Sequence, residues 1–69
     1  MVNTELLEQK IAESGKKKGH LAMVCNLSRA GFRNCVTNKA KFTYAQVKLL
    51  CGELCIFDPD EERTIFFAN

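Results

Sequence analysis

Four residues with helix-starting chemistry, Asn3, Ser28, Thr43 and Asp58, each stand just before a stretch whose apolar residues recur every three or four positions. Punctuation this dense leaves room only for short helices. The spacing predicts a first helix from Thr4 to Ser14 with Leu7, Ile11 and neighbouring Leu6 on one face, Val2 stapled to Leu7 across the Asn3 cap, and Gly15 as the stop. A second helix, from Lys17 or Lys18 to Cys25, buries Leu21, Ala22 and Cys25 or Val24. Asn26 follows, and asparagine tolerates the left-handed conformation that a tight turn needs. Ser28 caps a third helix with Phe32, Cys35 and Val36 on its core face and Leu27 spaced to staple onto Phe32. Beyond a polar, basic loop over 37–42, Thr43 and Gln46 form a capping box around a fourth helix to about Leu54. It buries Val47, Leu50, Cys51 and Leu54, with Ile56 closing the turn. The fifth has Asp58 as cap, Pro59 at its first position and Glu61 three residues after the cap, and its apolar residues are Ile65, Phe66 and Phe67. The expected fold class is all-α, a five-helix bundle forming one domain over residues 1–69.

A domain of 69 residues buries only about 60% of the surface its unfolded chain exposes, so modest stability is expected. No apolar run approaches the roughly 18 residues of a membrane span, and the N-terminal segment alternates charge with leucine rather than forming a signal core. A cytoplasmic location is expected.

The net charge of +2 conceals a segregated charge map. Glu5, Glu8 and Glu13 outweigh Lys10 in the first fourteen residues, and Glu53, Asp58, Asp60, Glu61 and Glu62 outweigh Arg63 beyond residue 48. Between these acidic flanks lie Lys16, Lys17, Lys18, Arg29, Arg33, Lys39, Lys41 and Lys48, with no acidic residue from 15 to 48. Such a basic field attracts polyanions, nucleic acid foremost.

Cys25, Cys35, Cys51 and Cys55 are separated by nine, fifteen and three residues. Only Cys51 and Cys55 approach the close spacing of zinc ligands, and His20 is the single histidine. Each cysteine falls where the helical pattern wants a small apolar residue, so all four are read as core thiols, with a metal or disulfide as the other reading. No metal and no cofactor are expected. With one histidine, two serines lacking a base partner and no glycine-rich phosphate loop, there is no catalytic constellation, and neither an enzyme nor a small-molecule substrate is expected. Gly19, Gly31 and Gly52 fall inside predicted helices, each at up to about 1 kcal/mol relative to alanine. Gly31, expected on the outer side of the third helix, is either a place of close approach to a partner or a plain stability defect.

The segment from about 17 to 36 has the plan of a helix-turn-helix: a short helix, a turn at Asn26-Leu27, and a capped second helix with a polar outer face. Phe32 and Val36 anchor that helix, leaving Arg29, Ala30, Arg33 and Asn34 outward; arginine can fork onto guanine and asparagine can pair with adenine. Leu21-Ala22, Asn26, Leu27-Ser28 and Phe32 together resemble the lambda-repressor-like, Cro-type family of small bacterial and phage regulators, over nearly the whole chain. Asn26 stands where that family has glycine, and Thr37-Asn38-Lys39 keeps only the second half of its usual Asn-Asn-Lys.

The resemblance implies a sequence-specific transcriptional regulator of double-stranded DNA, with the helix over 28–36 in the major groove. Ser28, Arg29, Ala30, Arg33 and Asn34 would face the bases, and Lys17, Lys18, Asn38, Lys39 and Lys41 the phosphates. Tyr44 either donates to a phosphate or packs. A homodimer is expected, because a single recognition helix reads few base pairs, with Phe66 and Phe67 of the last helix at the contact. The alternative is a protein-interaction module or antirepressor on the same fold, its basic face meeting an acidic protein.

Overall fold

Each of the capping residues that the sequence marks starts a helix. A computed structural model describes residues 1–68 of the chain, and these form α1 (Thr4–Ser14), α2 (Lys18–Val24), α3 (Arg29–Val36), α4 (Tyr44–Leu54) and α5 (Pro59–Phe66). The architecture is all-α, with no strand among the described residues. Asn3, Ser28, Thr43 and Asp58 accept backbone N–H bonds from Leu6, Gly31, Gln46 and Asp60 respectively, and the Thr43–Gln46 capping box is complete. Only α2 starts without a side-chain cap, at Lys17.

Helix ends follow a common rule that the sequence discloses only in part. A residue with positive φ follows each of the first four helices: Gly15 at 73°, Asn26 at 58°, Asn38 at 67° and Cys55 at 57°. Behind three of them the chain closes by a bond spanning five residues, Leu27 N–H to the Ala22 carbonyl, Lys39 to Asn34 and Ile56 to Cys51. Gly15 and Asn26 suit this backbone. Cys55 does not, since a Cβ crowds the left-handed region, and it is exposed rather than in the apolar slot expected of it. Cys55→Gly is therefore expected to stabilise the fold by about 1 kcal/mol, the strain relieved outweighing the added freedom of the unfolded chain. A urea titration that shows equal or lower stability would contradict this.

The core draws on every helix. Leu7, Leu21, Leu50 and Ile65, one each from α1, α2, α4 and α5, are the largest fully buried side chains, and Phe32 and Val36 bring α3 into the same cluster. Phe32 meets Phe42 edge-on at 5.8 Å, and Phe42 meets Phe66 at 6.1 Å, so three aromatic rings join α3, the α3–α4 loop and α5. Phe66, expected on a dimer surface, is thus buried at 3% exposure; the adjacent Phe67 remains 47% exposed. Neighbouring residues on a helix point about 100° apart, and α5 spends its inward direction on Ile65 and Phe66.

Candidate nucleic-acid interface

The backbone geometry of residues 25–28 aims α3. After α2 ends, Asn26 turns the chain through its left-handed conformation, Leu27 packs partly buried against the core, and the Ser28 hydroxyl takes the Gly31 N–H at 3.0 Å. Phe32, Cys35 and Val36 then fix one side of α3 inward. Ala30, Arg33 and Asn34 are exposed, Ala30 and Asn34 on the opposite side and Arg33 on the flank, four residues on from Arg29. Ser28 is exposed as well, with its oxygen engaged as the cap.

Two residues of this helix behave otherwise than the sequence reading expects. Arg29 is exposed, yet its guanidinium lies back over the first turn of α2, so close that a Cβ on Gly19 would come within 2.9 Å of Nη2. The reason is angular: residues 29, 32 and 36 are three and four apart, which places Arg29 on the same side as Phe32 and Val36. That spacing was legible and points away from the outer face. Gly31 is half-buried, and a Cβ there would meet the Ser28 hydroxyl at 3.2 Å and Leu27 at 3.7 Å. It relieves the cap rather than opening the outer face.

Folding redistributes the basic field. Lys10 pairs with Glu61 at 2.9 Å, Lys16 with Glu53 at 3.0 Å, Lys18 with Glu8 at 2.9 Å and Lys48 with Glu62 at 2.9 Å, while Arg63 lies 3.9 Å from Asp60. The acidic flanks thus neutralise part of the middle of the chain. Lys17, Arg29, Arg33, Lys39 and Lys41 have no carboxylate partner among the described residues, and all are exposed. Lys17, Lys18, Arg29 and Arg33 line an open groove of about 640 Å³ between α1, the start of α2 and α3, floored by Phe32 and Val36. Lys39 closes onto the end of α3 through its N–H to the Asn34 carbonyl at 2.8 Å. Lys18 shares the groove with its partner Glu8, so a phosphate there competes with a carboxylate already in place.

Asn38, expected at a phosphate, is committed elsewhere. Its Oδ1 accepts the Val2 N–H at 2.8 Å and its Nδ2 donates to the Val2 carbonyl at 2.9 Å, pinning the N-terminal segment to the end of α3. Asn38→Gly keeps the positive φ and removes both bonds, and is expected to cost about 1–2 kcal/mol in a urea titration. A variant as stable as the parent would show the pin to be idle.

His20 meets Glu53 at 2.9 Å beside Lys16, away from any metal-like cluster, and no group of three metal-ligating residues occurs among the described residues. Hydrogen bonds from Lys16 and His20 hold the Glu53 carboxyl below its ordinary range, and the bond from Lys48 does the same for Glu62. Tyr44 is 67% exposed with the Lys48 ammonium 5.3 Å from its ring centre.

Cys25, Cys35 and Cys51 are buried, as the core reading expects. Burial pushes the Cys25 thiol up to about 11; burial, then a bond to Glu62, does the same for Cys51. Since the thiolate is the reactive species, native protein is expected to react with a thiol reagent at Cys55 alone, the other three following only on unfolding. Rapid titration of more than one thiol in the folded state would refute this.

Compared with protein-family models, with curated proteins and with solved structures, the chain matches none. No helix among the described residues is long and apolar enough to cross a membrane.

Proposed function

We propose that this chain is a sequence-specific DNA-binding regulator that places α3 in the major groove of double-stranded DNA. The observation that supports the reading best is a convergence: Arg33 and Asn34 are exposed on α3, and of the cations without a carboxylate partner among the described residues, Lys17, Arg29 and Arg33 line one groove beside that helix and Lys39 follows its end. Arg33 and Asn34 have the forked donors and the paired amide that read guanine and adenine edges. Lys17, Arg29, Lys39 and Lys41 flank them as phosphate contacts, which fix register without reading sequence. Arg29 moves to this second group because its guanidinium lies on α2.

One recognition helix reads only a few base pairs, so the binding unit in this reading is a homodimer spanning two half-sites about one helical turn, roughly 34 Å, apart. The test is selection of bound sequences from a random duplex pool, followed by gel shifts across a salt series. Enrichment of a two-fold sequence and a linear fall of log affinity with log salt support the reading. Equal binding to every duplex, or none, overturns it. Capture of an acidic protein by a chain indifferent to DNA would favour an interaction module instead.

A further inference from the structure

Uncompensated positive charge concentrates in one hollow of the molecule. Of the cationic side chains without a carboxylate partner among the described residues, Lys17, Arg29 and Arg33 line the groove between α1, the start of α2 and α3, and Lys18 joins them. Glu8 is the only carboxylate lining it, so four cations face one anion around a space of about 640 Å³. That volume lies within the roughly 300–1,000 Å³ of small-ligand sites. Cations gathered in a concavity repel one another and draw in anions, so an anion filling the groove relieves a repulsion that folding creates.

Two details shape the groove for such a ligand. A Cβ on Gly19 would stand 2.9 Å from Nη2 of Arg29, 3.1 Å from Nε and 3.3 Å from Cζ, so any larger residue there pushes the guanidinium aside. Alanine is the better helix former, yet glycine leaves the space in which Arg29 spans from α3 to the first turn of α2. Glu8, for its part, is held on one side only: Oε2 accepts from Lys18 Nζ at 2.9 Å, while Oε1 is buried without a hydrogen-bond partner. To reach the fourth cation a ligand must displace Glu8 from Lys18. A singly charged anion does this poorly, whereas linked phosphates carry charges close enough together to meet several cations at once.

We infer that this groove is a binding site for a compact, free oligophosphate. Arg29 and Arg33 take phosphate oxygens through their forked donors, Lys17 and Lys18 act as point charges, and Glu8 sets the charge that an anion needs to enter. The site stands on the groove alone. Where it joins the DNA-binding reading, through the shared Lys17, Arg29 and Arg33, an oligophosphate in the groove releases DNA.

Calorimetric titration of the full chain with inorganic tripolyphosphate, at fixed ionic strength and without DNA, is expected to show a single saturable site. Arg29→Ala is expected to weaken binding about tenfold, and Glu8→Gln to tighten it about threefold. Lys48→Ala, which removes the same charge from α4, is expected to leave it unchanged. Gly19→Ala is expected to weaken binding while the melting temperature holds or rises, a combination that a merely structural glycine would not give. Circular dichroism checks that each variant is folded. No saturable binding, equal losses from Arg29→Ala and Lys48→Ala, or a folded Glu8→Gln chain that binds no tighter would each overturn the site. A short oligonucleotide of equal charge bound as tightly as tripolyphosphate would overturn it too, since the groove would then take backbone phosphate. Because DNA is absent from the titration, its failure leaves the DNA-binding reading standing, and a chain indifferent to DNA leaves the anion site standing.

Discussion

Phe32→Ala is expected to lower the stability of the fold by about 3–5 kcal/mol, enough to leave much of the population unfolded at physiological temperature. Phe32 is 2% exposed and is the largest side chain by which α3 enters the core. Its ring stands edge-on to Phe42, which in turn stands edge-on to Phe66, so truncation strips contacts from the α3–α4 loop as well as from α3. A chain of 69 residues has little core to close the resulting cavity, and native domains are stable by only about 5–15 kcal/mol. Urea unfolding followed by helical dichroism measures the loss. Phe32→Leu, which keeps much of the volume, is expected to fall well short of it. A loss below about 1 kcal/mol for alanine would mean that α3 is held chiefly by Cys35 and Val36.

The helices were legible because their boundaries are chemical and local. A hydroxyl or carboxylate at a cap reaches an N–H two or three residues away, so Ser28, Thr43 and Asp58 announce their helices whatever the rest of the chain does. The inward faces were legible for a similar reason, since three- and four-residue spacing fixes which apolar residues share a side. What lay hidden depends on contacts between distant segments. Asn38 is held by Val2, 36 residues away, and Lys16 is neutralised by Glu53, 37 residues away. A linear charge map shows a basic middle; only the fold shows that Lys10, Lys16, Lys18 and Lys48 are engaged and that, among the described residues, Lys17, Arg29, Arg33, Lys39 and Lys41 are not. Phe66 and Phe67 differ by a single step around α5, and the sequence offers no reason to prefer either inward. Cys55 carries no signal for its left-handed backbone; Gly15 and Asn26 do.

In the candidate interface, Arg33→Ala and Asn34→Ala are each expected to weaken binding to the selected duplex by about 1–3 kcal/mol, roughly 5- to 150-fold, while leaving affinity for random duplex nearly unchanged. Both side chains are exposed, Asn34 opposite the buried side of α3 and Arg33 at the rim of the groove floored by Phe32 and Val36, and among the described residues neither is drawn into an ion pair that would hold it off a base edge. Arg29 supplies the internal contrast. Because its guanidinium rests on the first turn of α2, Arg29→Ala is expected to weaken binding to all duplexes alike and to reduce the magnitude of the salt slope by about one. The two classes thus separate on a plot of specific against non-specific affinity across salt: Arg33 and Asn34 move the difference between the lines, and Arg29 moves both lines together. Substituting Arg33 should also relax sequence preference at one position of each half-site, which repeated selection with the variant would reveal as loss of a conserved guanine. If Arg33→Ala and Asn34→Ala instead lower both affinities equally, the outward face of α3 touches only the backbone, and sequence must be read by some other part of the chain.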